Sequence, residues 1–454
     1  MPRKAKSPLS QPVFGEPVFN EGVATPDPTV FKHPHPSDSK LYKQIQDLLG
    51  KDVVSFSASR GKPGDLFTLQ SALGAHGPAV VQQIQTAGQI VFHCTGDTGA
   101  SNVKKYRNEI SVADALTTDF HSSTGADRPS FFYHLGDVVY DFGESQYYYD
   151  QFYDPFRNYP APIFAIPGNH DSFVVPNTKP ADLPLKIFSR NFCSPDTVLT
   201  KEAGSLHRTA MTQPGLYFTL DAPFVRIIGL FSNALEDPGL ISSQKTQTAK
   251  WPAVPDYQLA YLTAQLQNIK AQNYSGAVII AVHHPPFAYD PPAAAGGTGG
   301  NHSSSTAMLR EIDTICKAQG VYPHAFISGH AHNYQRYTRK VNFTGKNFTV
   351  PFIVCGDGGH NVDPLVEPSG GVTPPDPALG ALVSYLDVNP AVSSTGLTID
   401  YFDHTNYGYL RITVNSTHLL IEFHPMTSAA NAADAEESGV DSVTVDLATH
   451  KIIS

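Results

Sequence analysis

Five short polar islands, each placed where a hydrophobic run ends, carry the residues able to do chemistry: Gly96-Asp97, Gly136-Asp137-Val138-Val139-Tyr140, Gly168-Asn169-His170-Asp171, His283-His284-Pro285 and Gly329-His330-Ala331-His332. Together they offer carboxylates, an amide carbonyl, imidazoles and a phenol, and no thiolate. Oxygen and nitrogen donors of this kind suit Zn, Fe or Mn better than a soft-metal centre. The set is too large for one ion. Two ions roughly 3.5–4 Å apart, sharing an aspartate, would use it, and such a pair clamps the attacking and leaving oxygens of a phosphoryl displacement.

Each island needs a rigid support, and the runs before them supply it. Ile90-Val91-Phe92, Phe131-Phe132-Tyr133, Ile163–Ile166, Val278–Val282 and Ala325-Phe326-Ile327 read as buried strands of a mostly parallel sheet. Open sheets place ligands at the carboxyl ends of their strands, so the islands are expected to converge on one edge. Leu216–Leu220 and Val225–Leu230 read as a hairpin of a second sheet, completed by strands at Phe352–Cys355, Gly408–Val414 and Leu419–Phe423. Apolar spacing at Leu259, Leu262, Leu266 and Ile269 predicts a helix over Tyr257–Lys270, and Met308–Lys317 predicts another. The expected fold class is α/β: a four-layer αββα sandwich of two stacked mixed sheets flanked by helices.

Donors spread from Asp97 to His332 must fold together, so residues 89–454 read as one catalytic domain. Residues 1–40, rich in Pro, Ser and charge, are expected to form a disordered arm, and 41–88 an N-terminal helical segment that includes a helix candidate at Leu41–Leu49. A net charge of −10, with 31 Lys and Arg and no dense basic run beyond Arg3-Lys4-Ala5-Lys6, disfavours a nucleic-acid partner. The expected partner is a small phosphoester. No segment is long and apolar enough to span a membrane, and Met1–Glu16 lacks the apolar core of a leader, so a cytoplasmic location is favoured over a secreted one. Cys94, Cys193, Cys316 and Cys355 are widely spaced in apolar contexts and read as buried free thiols. Asn-x-Ser/Thr sequons at Asn273, Asn301, Asn342, Asn347 and Asn415 would matter only in a secreted protein.

The ordered islands resemble the calcineurin-like metallophosphoesterase superfamily, whose pattern runs D-x-[H or G], G-D, G-N-H-[D/E], H and G-H-x-H; the likeness spans about residues 90–335. Details lean toward its purple acid phosphatase branch. Gly99 stands where most members have His, and Tyr140 stands at the third position after Asp137. A lost imidazole leaves a coordination gap that a tyrosinate fills, favouring a hard trivalent ion such as Fe(III). The aromatic run Tyr140–Phe156 and the stretch Gly329–Arg336 also resemble that branch.

Carried across motif by motif, the resemblance implies two metal ions, iron with zinc, manganese or a second iron. Asp97, Tyr140 and His332 would hold the first, Asn169, His283 and His330 the second, and Asp137 would bridge them. His283 is chosen over His284 because it stands where the family's His-x-Pro segment puts its imidazole; in an extended strand His284 points the other way. His170 is implied to bind the phosphoryl group and protonate the leaving oxygen. Asp171 either orients His170 by accepting its other ring proton or fixes the loop.

The function implied is phosphoester hydrolysis, as a phosphomonoesterase of acid phosphatase type or, with the same site, as a phosphodiesterase acting on cyclic nucleotides or glycerophosphodiesters. A non-catalytic binding protein on a degenerate fold predicts lost ligands, and every expected position is filled. Outside the donor set, His93 and His134 read as packing residues with satisfied nitrogens. His360, in Gly356-Asp357-Gly358-Gly359-His360, reads as a turn histidine or a substrate contact, and Pro285–Ser305 as a lid or a plain surface insertion.

Overall fold

The computed structural model describes residues 12–19, 28–32, 44–45, 51, 53–174, 179–235, 239–243, 252–288, 302, 304–363, 365, 396–426 and 440–454. Most of the expected arm and of the helix at 41–49, the Gly-rich part of the 285–305 loop, and the sequon at 301 lie outside these residues.

The described strands, numbered in chain order, form two sheets. One runs β15 (Lys451–Ile452), β14 (Asp441–Asp446), β13 (His418–Met426), β12 (Tyr407–Asn415), β2 (Gln89–Thr95), β3 (Pro129–His134) and β4 (Ile163–Ala165). The other runs β1 (Phe67–Thr68), β5 (Phe218–Ala222), β6 (Val225–Leu230), β7 (Ala277–Val282), β8 (Ala325–Ser328), β10 (Lys346–Cys355), β9 (Tyr334–Phe343) and β11 (Leu397–Asp403). Both are mixed. β2, β3 and β4 pair in parallel, as do β6, β7, β8 and β10, while hairpins and β12 add antiparallel flanks.

The five runs ahead of the islands are therefore divided between two sheets, β2 to β4 in one and β7 and β8 in the other, and do not share a single parallel sheet. The strands expected to complete one second sheet are divided as well: β10 joins β8, whereas β12 and β13 extend the sheet of β2. Apolar runs reveal that strands are buried but carry no label for their partner, which register across long sequence separations decides. Residues 53–88, expected as helical, also supply β1, which pairs in parallel with β5.

Why the sheets stack is legible in β7. A strand apolar at every position buries both faces. Ile279 and Ala281 join the core shared with β2, β3 and β12, while Val278, Ile280 and Val282 pack with Leu262 and Leu266 of α4 (Tyr257–Ala271) and with Met308 and Ile312 of α5 (Thr306–Gln319). Truncating one of these isoleucines to Ala would cost about 2–5 kcal/mol. Across the other sheet lie α1 (Gly77–Ala87), which the left-handed Gly88 ends, and α2 (Val103–Ser122), capped where the Asn102 side chain accepts from Lys105 N. α3 (Pro184–Phe192) lies in the long segment after the third island. Arg336 on β9 grips Asp441 on β14 through two bonds of 2.7 and 2.8 Å, joining the sheets just behind the fifth island. The four cysteines are buried and free. Among the described residues no helix is long and apolar enough to cross a membrane.

Candidate metal centre

At the carboxyl ends of the parallel strands the backbone leaves the sheets in sharp turns. Asp97, Asp137 and His330 take positive φ values of 57°, 55° and 69°, the left-handed region that residues other than glycine seldom adopt. Each is a candidate ligand. Such conformations persist only where the surroundings over-determine them, and here Asp97 N donates to Gly136 O at 2.9 Å while His330 N donates to Asp97 Oδ2 at 2.8 Å. Two glycines permit the crowding. A Cβ on Gly168 would lie 2.1 Å from Asp137 Oδ1, and one on Gly99 only 2.5 Å from the Val138 carbonyl oxygen. Position 99 has no room for a donor side chain, whereas Tyr140 brings its phenol into the centre.

The Tyr140 Oη lies 3.2 Å from Asp97 Oδ1, 2.9 Å from Asp137 Oδ2 and 3.1 Å from His332 Nε2. A second group forms around Asn169, whose Oδ1 lies 2.9 Å from His283 Nε2 and 3.0 Å from His330 Nδ1. Asp137 touches both groups, since its Oδ2 is also 3.5 Å from His283 Nε2. The structure thus brings together all seven residues expected as ligands, each buried. Leu135 O can only accept, so His283 Nδ1, 2.9 Å away, carries the proton and Nε2 turns its lone pair inward.

Electrostatics follow from the crowding. Burial raises the Asp97 carboxyl, whereas Asp137 is held well below the usual carboxylate range because His283, His170 and His330 outweigh its burial. Burial and the two carboxylates push the Tyr140 phenol well up. Burial would lower His283 and His332, but Asp137 and Asp97 raise the first to about 9, and Asp363 and Asp97 raise the second to about 10. The carboxylates that favour the cationic form of these rings call for positive charge at this point, which ring protons or metal cations can supply. Oxygen and nitrogen donors in this arrangement fit a pair of hard or borderline cations.

His170 lies against Tyr140, ring centroids 4.0 Å apart, and its N donates to Asp137 Oδ1 at 2.9 Å. Its Nδ1 donates to Asp141 O at 2.8 Å. The orienting role offered to Asp171 therefore falls to the Asp141 carbonyl. Asp171 instead accepts from the amides of Gly168, Val138 and Val139 at 3.0–3.1 Å, fixing the third island to the second. His284 bonds Ser232 Oγ through Nδ1 at 2.9 Å, and its ring packs 4.3 Å from that of His330. His360 does more than turn the chain: it stacks on Tyr140 at 3.5 Å, donates from Nδ1 to Gly99 O, and receives Lys105 Nζ at 2.6 Å on Nε2.

Two residues at the centre escaped sequence reasoning. Asp363 Oδ2 lies 3.2 Å from His332 Nδ1, and the His302 ring packs 5.0 Å from His330 and 4.9 Å from His332. Both stand in loops without motif or periodicity, and loop closure alone brings them here. The only signal was their position, downstream of a ligand strand and of the Gly356–His360 turn.

No curated protein sequence matches the chain. Among solved structures it is similar to PhoD, at 13% identity and a TM-score of 0.46, over 81% of this chain and 72% of that one. It is also similar to a Vps29 single mutant from Entamoeba histolytica, at 11% identity and a TM-score of 0.26, over 79% and 99% of the two chains. Likeness this distant carries no inference about activity. The calcineurin-like phosphoesterase family model, by contrast, matches residues 90–334, more than half of the chain's 454, from the start of β2 to just past His332. The matched span holds all five islands and the whole donor set assembled at the strand ends, and the chain belongs to the calcineurin-like phosphoesterase family.

Proposed function

We propose that the protein is a phosphomonoesterase of purple acid phosphatase type, a hydrolase acting through two metal ions held by Asp97, Asp137, Tyr140, Asn169, His283, His330 and His332. Iron with zinc, manganese or a second iron is the pairing proposed. The observation that carries the reading is Tyr140 Oη within 3.2 Å of Asp97, Asp137 and His332, beside a Gly99 that has no room for an imidazole. Bound there, the ions would polarise the phosphoryl oxygens and lower the pKa of a water.

The chain's own residues do the rest. Asp137 reaches both donor groups and so holds them at one spacing. Burial of the donors keeps bulk water out and strengthens every charge interaction within. Since the Asp141 carbonyl takes the Nδ1 proton of His170, proton delivery to a leaving oxygen falls to Nε2. Small phosphoesters are the substrate class proposed, because the chain carries a net charge of −10 and no dense basic run beyond its N-terminal tip. A diesterase would use the same donors, so turnover of mono- against bis-nitrophenyl phosphate separates the two.

Metal analysis with a visible spectrum tests the branch. Iron-loaded, oxidised protein is expected to show a phenolate-to-Fe(III) charge-transfer band, and Tyr140→Phe to bleach it with the fold intact. A colourless iron-loaded protein, or a coloured Tyr140→Phe variant, would defeat the purple acid phosphatase assignment and leave the family untouched.

A further inference from the structure

The His332 ring has two nitrogens, and the centre uses only one. Nε2 faces Tyr140 Oη at 3.1 Å and Asp97 Oδ1 at 3.5 Å, while Nδ1 faces Asp363 Oδ2 at 3.2 Å. An imidazole that turns the Nε2 lone pair toward a cation carries its proton on Nδ1, and a carboxylate facing Nδ1 fixes both tautomer and ring plane. Asp363 is itself held for this. Its N donates to His332 O at 2.8 Å, its O accepts from Asn333 Nδ2 at 3.3 Å, and its Oδ1 accepts from Asn361 Nδ2 at 2.5 Å. Backbone and side chain together clamp the turn that carries His330 and His332. The same Oδ2 lies 4.0 Å from Nδ1 of His302, whose ring rests on both of those imidazoles.

His302, His332 and Asp363 are close enough to hold an ion of their own. That arrangement would require His332 to give up both ring protons and serve two sites at once, whereas a hydrogen bond to Asp363 uses the ring as a neutral ligand uses it. We propose that Asp363 is a positioning residue of the metal centre, orienting His332 by accepting its Nδ1 proton and seating His302 through the same oxygen. The proposal rests on His332 being a ligand of the metal pair.

The test is titration of Zn(II) and Mn(II) against a chromogenic chelator, with metal counts by mass spectrometry and circular dichroism as a check on folding. Asp363→Ala is expected to weaken one of the two ions about 10–100-fold and leave the other unchanged. Asp363→Asn, whose carboxamide oxygen can still accept the proton, should recover part of that loss. Adding Asp363→Ala to His332→Ala should cost nothing more, because the two act through one ring, and His302→Ala should leave both affinities unchanged. Wild-type affinity in folded Asp363→Ala, equal losses for Ala and Asn, a further loss in the double variant, a loss in His302→Ala matching that of Asp363→Ala, or a third ion bound per wild-type chain would each overturn the proposal. Wild-type protein that binds no ion would overturn the metal-centre reading along with it, and so is distinguishable from a failure of Asp363 alone.

Discussion

His93 and His332 are both buried imidazoles among aromatic rings, and their surroundings obey opposite rules. On β2, His93 Nδ1 lies 3.1 Å from Tyr159 Oη and Nε2 lies 2.8 Å from Asp119, which also accepts from Arg411 at 3.2 Å. Every donor there has an acceptor. His134 is settled in the same way, with Thr98 Oγ1 3.0 Å from Nε2 and the Gly136 amide 3.1 Å from Nδ1. At the end of the same strand the pattern inverts: Asp97 faces Asp137 across one phenol, and two imidazoles share one amide oxygen. Residue type does not mark a functional histidine. What marks it is the company it keeps: several imidazoles, two carboxylates, a phenol and an amide oxygen gathered at one point.

The contrast can be broken first where its effect is largest. Asp137→Ala or His330→Ala should lower bound metal and remove nearly all activity on a chromogenic phosphate ester, because each deletes a donor that no neighbour replaces. Wild-type protein with full activity and less than one transition metal per chain would sink this. His170→Ala, next in size, should keep its metals and lose roughly 10²–10⁴ in turnover, less on nitrophenyl esters, whose leaving group needs no proton. Coincident loss of metal, or equal losses on activated and unactivated esters, would refute the role.

In the paired cluster the same kind of change should move stability and leave chemistry alone. His93→Ala leaves Tyr159 Oη and one bond of Asp119 without a partner, so urea unfolding should show a loss of about 1–3 kcal/mol with metal content and turnover unchanged. If His93→Ala lost its metals, the distinction between the two clusters would vanish.

Glu109 on α2 supplies the smallest test, since its carboxyl is fully buried and that burial, outweighing the Thr98 hydroxyl beside it, raises it well above the usual value. The folded state then keeps a proton that the unfolded chain releases above about pH 4.3. Stability therefore falls as pH rises from there toward the folded pKa. Glu109→Gln should remove that part of the slope and gain stability at neutral pH. An unchanged slope between pH 5 and 7 would assign the pH dependence to other groups.

The legible and illegible parts of the centre differ in range. Asp97, Asp137, Asn169 and His330 were readable because each stands at a strand end inside a short motif, where the turn and the donor are neighbours in the chain. The helix around Leu262 and Leu266 was readable from its spacing, and α4 covers it. Asp171 was ambiguous because a carboxylate beside a histidine can serve the ring or the loop, and only three amides aimed at its oxygens decide for the loop. Asp363 and His302 carry no motif, since their partners lie on other loops, and the turn that marks His360 does not show that its ring stacks on Tyr140.

The sequence by itself determined the inventory: which donors exist, in what order, and that no thiolate competes, because donor chemistry belongs to the side chain whatever its surroundings. The tertiary structure alone decided which sheet each island ends, that Tyr140 sits between two aspartates while Gly99 leaves no space, and that Asp363 reaches the far side of His332. Those are distances between residues far apart in the chain, and they follow from strand register, sheet stacking and loop closure, which no stretch of sequence encodes on its own.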